Sequence, residues 1–177
     1  DVDTIVINSA GCGSTLKAYG HLLRDDPVYA DRAHTLAAKC KDISELLDEL
    51  GPRAPRHRVP LRIAYHDACH LQHAQGVSAE PRRVLATIPG LELCEIPEAE
   101  ICCGSAGIYN LVEPDTAGAL GDRKARHIQT TGAEAVVSSN PGCLLQIESR
   151  LAQAGTRIRT FHLVELVDAS IRGKTPR

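Results

Sequence analysis

The chain contains no Trp, no Met and a single Phe, and aromatic residues make up 3% of its 177 residues. Surfaces on which bases could stack are therefore scarce, and a net charge of −2 offers no basic field for phosphates. Nucleic-acid binding is excluded on both grounds. No apolar run approaches the roughly 18 residues of a membrane span, and no secretory signal is read at the start. The chain opens on Asp1-Val2-Asp3 and runs at once into Ile5-Val6-Ile7, a β-like string. That opening reads as a C-terminal fragment of a longer protein.

Cysteine, by contrast, is plentiful. Seven cysteines stand at positions 12, 40, 69, 94, 102, 103 and 143, and two are adjacent. Adjacent cysteines bridge each other only with strain, and an odd number without a secretory signal argues against a disulfide framework. Metal binding or catalysis is the better expectation.

The hydrophobic pattern predicts strands at 4–8, 61–65, 91–96, 134–138 and 157–161. Helices are predicted at 16–23, 27–40, 42–50, 79–88, 114–131, from 141 to about 154, and 163–172. Asp42 and Glu45 have the spacing of a capping box. Residues 51–60 (GPRAPRHRVP), with three prolines among basic side chains, read as a linker. Strands alternating with helices predict an α/β fold, a mainly parallel sheet of four or five strands with helices on both faces.

Two segments resemble each other. Residues 3–12 (DTIVINSAGC) align with 134–143 (EAVVSSNPGC): an acidic residue, a β run, a small polar turn, then Gly-Cys and a helix. We read a tandem repeat whose first copy is truncated, with 1–50 the tail of the first copy, 51–60 the linker and 61–177 the second copy. The two units are expected to be related by an approximate two-fold axis, with Cys12 and Cys143 at equivalent places.

Cys12, Cys69 and Cys143 each follow a predicted strand, and Cys102-Cys103 sit in a glycine-bearing loop after another. Strand ends in a parallel sheet converge at one edge, where α/β folds place their sites. Gly11, Gly13, Gly104 and Gly142 flank these cysteines, and a helix N-terminus favours the thiolate of Cys12 and Cys143. Thiolates bind soft metals and iron–sulfur clusters. A four-thiolate zinc site, a redox-active disulfide and plain burial stay open at this point. Cys40 and Cys94 read as buried small apolar residues. His66, His70 and His73 are candidate ligands or donors, with Gly104 and Asn140 beside the cysteines. Arg123, Lys124 and Arg126 read as a solvated helix face.

These phrases are distinctive. Cys69, Cys102-Cys103-Gly104 and Cys143 together resemble the cysteine-rich CCG domain shared by heterodisulfide reductase and many iron–sulfur oxidoreductases. The strings NSAGCGSTLK (8–17), YHDACHL (65–71), CCGSAG (102–107) and NPGCLLQ (140–146) look like the glycolate oxidase iron–sulfur subunits of that family. The resemblance implies Cys69, Cys102, Cys103 and Cys143 as ligands of an iron–sulfur cluster, of 4Fe–4S and noncubane type in heterodisulfide reductase. Cys12 would belong to the site of the first copy, and His66, His70, Gly104 and Asn140 would surround the ligands.

It further implies a subunit of a glycolate oxidase complex that is not catalytic alone. Such a subunit takes electrons from a flavin-containing subunit that converts glycolate to glyoxylate and passes them to the membrane quinone pool. Its place would be the cytoplasmic, inner face of the cell membrane. The alternative is a docking module that binds zinc or no metal, from a related lactate or heterodisulfide oxidoreductase. The chain departs from the full CCG pattern, which ends in Cys-x-x-Cys. Ser9 and Asn140 stand at the first of those positions, so each copy lacks one thiolate.

Overall fold

The protein, here a computed structural model, is described over residues 2–176. The chain opens with strand β1 (Ile5–Ile7), helix α1 (Ala10–Lys17), a short helix α2 (Tyr19–Leu22) and helix α3 (Ala30–Lys39). Strand β2 (Cys40–Asp42) and helix α4 (Ile43–Leu50) follow. Residues 51–60 contain neither helix nor strand. Then come β3 (Leu61–Tyr65), α5 (Cys69–Gln75), α6 (Ala79–Ala86), β4 (Leu91–Glu95), α7 (Tyr109–Val112) and α8 (Pro114–Thr130). The chain closes with β5 (Ala135–Ser138), α9 (Pro141–Gln153), β6 (Arg159–His162) and α10 (Leu163–Arg172).

Every strand pair is parallel, as expected of an α/β fold. The strands form a four-stranded sheet in the order β4-β3-β5-β6 and a separate two-stranded ladder, β1-β2. The helix expected over 27–40 ends one residue early, because Cys40–Asp42 pairs with Ile5–Ile7 as a strand. Tertiary pairing there overrides local helical preference. Asp42 then starts α4 through the expected capping box: its side chain accepts from Ser44 N at 2.9 Å, and Glu45 Oε2 accepts from Asp42 N at 2.7 Å.

Both faces of the larger sheet are covered, which is why all of β5 is buried. Ala64 and Val136 face one core with Leu71, Ala125, Ile128, Ile147 and Leu151. Ile63, Tyr65, Ala135 and Val137 face the other, with Leu85, Phe161, Leu163 and Leu166. Burying an aliphatic side chain of this size contributes about 1.5–3 kcal/mol. The two cores therefore hold β3 and β5 rigidly side by side at the centre of the sheet. The segment after residue 50 is tied to this body, since His57 N donates to Ser170 O and Val59 N to Pro89 O, both at 2.9 Å.

The small ladder docks onto the larger sheet near the strand ends. Ala10 N donates to Ser139 O at 3.2 Å, and the His162 ring bonds Asn8 O at 2.8 Å. His162 also begins α10 with a capping box to Glu165, the counterpart of Asp42 and Glu45 at α4.

Candidate metal centre

The chain leaves β3 toward β4 on one side and returns to β5 on the other. The carboxyl ends of β3 and β5 thus flank the point where the strand order reverses, the usual site position in such sheets. His66 and Cys69 follow β3, and Cys143 lies in the first turn of α9 after β5. The loop between β4 and α7 brings in Cys102 and Cys103.

All four thiols meet there. Cys69 lies within hydrogen-bonding reach of Cys102, Cys102 of Cys103, and Cys103 of Cys143. The ligating atoms of His66, Cys103 and Cys143 all lie within 4.8 Å of one another, and these three residues are buried. Cys69 and Cys102 are partly exposed and form the open side.

N–H groups surround the sulfurs. Gly104 N donates to Cys102 at 3.3 Å, and the backbones of His70 and Ser105 favour the thiolates of Cys69 and Cys103. The Asn140 Nδ2 amide donates to the Cys143 sulfur at 3.1 Å. Protons are consequently shared unevenly. The Cys103 and Cys69 thiols, with Gly104 N, hold Cys102 down to about 2. Cys103 and then His66 hold Cys143 down to about 5. Cys69 and Cys103 are pushed up, chiefly by donating to those neighbours and by burial. The group is thus disposed to hold negative sulfur, the form that binds metal.

Gly104 makes this packing possible. Its φ is +90°, and a Cβ there would stand 2.3 Å from Ala117 O. Only glycine lets the Cys102-Cys103 loop lie against α8. Around His66 the chain is equally constrained. His66 N donates to Val137 O at 2.8 Å, and the Arg82 guanidinium clamps both oxygens of buried Asp67, at 2.8 and 2.7 Å. Arg82 also pairs with Glu95 and lies over the Tyr65 ring, 5.2 Å from its centroid.

Two sequence expectations are corrected. Lys124 is 1% exposed, not solvated; its Nζ donates to Glu98 O at 2.7 Å and Ala99 O at 3.2 Å, pinning the loop that leads to Cys102. Arg123 and Arg126 are exposed, so the charge run conceals one inward position. Cys94 is only partly buried, because β4 is an edge strand; its sulfur accepts from Arg62 Nε at 2.9 Å. Cys40, by contrast, is buried.

The other candidates are placed as follows. Cys12 is exposed on α1. The His70 ring is exposed with Nδ1 toward Gly11, so its backbone rather than its ring serves the thiols. The His73 ring lies 3.4 Å from Glu100 O. Arg82 was not singled out from the sequence; its spacing on α6 carried no signal of the pairing with Asp67.

The donor set suits a metal–sulfur group. Four soft thiols, N–H donors to the Cys102 and Cys143 sulfurs and a buried His66 ring beside Cys103 and Cys143 all fit one.

Comparison with known proteins agrees. Residues 63–148 match the cysteine-rich domain family CCG. The chain is 39% identical, over 99% of its length, to a probable glycolate oxidase iron-sulfur subunit of Bacillus subtilis, of which it spans 40%. It is 34% identical, over 96% of its length, to lactate utilization protein A of Geobacillus kaustophilus, of which it spans 71%. A crystal structure of a hypothetical protein from Helicobacter pylori shares the fold, with TM-score 0.55 and 12% identity over 86% of this chain and 32% of that one.

Proposed function

The chain belongs to the cysteine-rich domain family of iron–sulfur subunits, and on that premise we propose that it is the electron-transferring part of a glycolate oxidase complex. The observation that carries this reading is the continuous group Cys69, Cys102, Cys103 and Cys143 at the ends of β3 and β5. These four would hold an iron–sulfur cluster, which supplies one-electron transfer when bound. Cys12, exposed on α1, belongs to the site of a first copy. Residues 1–50 are then the tail of that copy and 61–177 the second.

The protein's own residues set the conditions of transfer. N–H donors at the sulfurs stabilise added negative charge and so tune the potential. Buried Cys103 and Cys143 keep water from the inner side, while partly exposed Cys69 and Cys102 face an approaching partner. That partner is a flavin-containing subunit oxidising glycolate to glyoxylate, and the acceptor is quinone at the inner, cytoplasmic face of the cell membrane.

One observation favours a second reading. The spacing of His66, Cys103 and Cys143 also suits a single zinc ion, in which case the chain is a docking module. The two are separated with the full-length protein, purified anaerobically with its flavin subunit and mixed with glycolate. Bleaching of a brown chromophore containing iron and sulfide supports electron transfer. A colourless, zinc-containing protein that still binds the flavin subunit supports docking.

A further inference from the structure

His66 is 0% exposed, and neither of its ring nitrogens makes a hydrogen bond of good geometry; the ring closely approaches the Cys143 sulfur. A buried polar ring without a well-formed hydrogen bond is uncommon and calls for a reason. Its neighbours leave it only one direction. The backbone N–H of His66 is held by Val137 O, which fixes the residue at the end of the β3–β5 ladder. Both oxygens of the adjacent Asp67 carboxylate accept from Arg82, and neither bonds the His66 ring. The ring faces the thiols instead, with a nitrogen within 4.8 Å of the sulfurs of Cys103 and Cys143.

The resemblance to the CCG pattern, which ends in Cys-x-x-Cys, implies one more thiolate than the four grouped here, and Asn140 stands at that position. Asn140 does not fill the gap. Its amide nitrogen donates to Cys143 and its amide oxygen accepts from Ser9 Oγ at 3.4 Å, so both ends are occupied. His70 does not fill it either, since its ring is exposed and turned toward Gly11.

We propose that His66 is the fifth ligand of the metal centre, its ring nitrogen standing in for the thiolate absent at position 140. The inference rests on the iron–sulfur reading above. A neutral imidazole in place of a thiolate leaves the centre with one negative charge fewer, which makes it easier to reduce. Histidine ligation raises the potential of two-iron clusters in the same way. A histidine that only donated N–H to Cys143 would leave every metal–ligand bond to sulfur.

The test uses full-length protein labelled with 15N-histidine, reconstituted anaerobically with ferrous iron and sulfide, reduced with dithionite and studied by pulsed EPR. A directly bonded nitrogen should give a strong 15N coupling that persists in His70→Gln and vanishes in His66→Gln. His66→Cys should retain iron, lose the coupling and show a lower reduction potential. This variant keeps the test decisive if His66→Gln does not fold. Bound iron and sulfide without strong 15N coupling in the unsubstituted protein, or coupling that survives in His66→Cys, overturns the ligand assignment alone. A protein that takes up neither iron nor sulfide overturns the iron–sulfur reading and this inference with it.

Discussion

Ser9 and Asn140 stand in almost the same backbone conformation, φ −140°, ψ 112° and φ −141°, ψ 113°, and the hydroxyl of one donates to the amide oxygen of the other at 3.4 Å. Each is the N-cap of a helix that carries a cysteine three residues on, Cys12 and Cys143. Two strand–turn–helix units thus face each other at their turns. Only one of the cysteines, Cys143, lies in the buried thiol group.

Asn140 is expected to tune the centre rather than hold it. Asn140→Ala removes the 3.1 Å donor to the Cys143 sulfur but no thiolate. Iron content should stay near that of the unsubstituted protein while the reduction potential falls, because one fewer N–H stabilises the reduced charge. Redox titration of both proteins checks this; an unchanged potential removes Asn140 from the account.

Gly104→Ala should destabilise the protein by at least about 2 kcal/mol. The substitution combines the strain of positive φ with a Cβ driven against Ala117 O. Denaturant unfolding reads the loss, and iron uptake should weaken with it because the Cys102-Cys103 loop must move off α8.

Lys124→Met leaves two carbonyls, Glu98 O and Ala99 O, without their donor, at a cost of about 1–3 kcal/mol. Arg126→Ala, two residues away on the exposed side of α8, should change stability by no more than about 0.5 kcal/mol. Equal effects from the two substitutions would mean that the buried lysine does not pin the loop.

The pH dependence of the metal-free protein follows from Cys102. Its pKa is depressed to about 2, so the thiolate is already formed far below the ordinary thiol range near 8.5. Alkylation of Cys102 by iodoacetamide should therefore hold a level rate as pH falls from about 8 to about 5, where an ordinary thiol slows steeply. Mass-spectrometric mapping of the modified cysteine gives the rate; a tenfold fall per pH unit would contradict the shared-proton arrangement.

Much of this arrangement could be read from the chain itself. The β runs before Cys69 and Cys143, and the glycines beside Cys102-Cys103 and Cys143, are local signals, and a parallel sheet carries such turns to one edge. Features that depend on a distant partner could not be read so. Cys40–Asp42 becomes a strand only because Ile5–Ile7 lies beside it. Lys124 turns inward only because the carbonyls of Glu98 and Ala99 await it, and nothing in the string RKAR marks which cation does so. Cys94 stays partly open because β4 has a neighbour on one side alone. The placing of the buried His66 ring beside Cys103 and Cys143 is visible only once the fold is known.

The most direct test of the central claim is the iron and sulfide content of the anaerobically reconstituted protein, measured beside Cys103→Ser and Cys94→Ser. The unsubstituted chain and Cys94→Ser should each bind ~4 iron and ~4 sulfide, since Cys94 lies on the edge strand with Arg62 and outside the thiol group. Cys103→Ser should lose most of both, because a hydroxyl replaces the thiol between Cys102 and Cys143. Equal iron and sulfide in all three proteins, or none in any, would contradict a cluster held by Cys69, Cys102, Cys103 and Cys143.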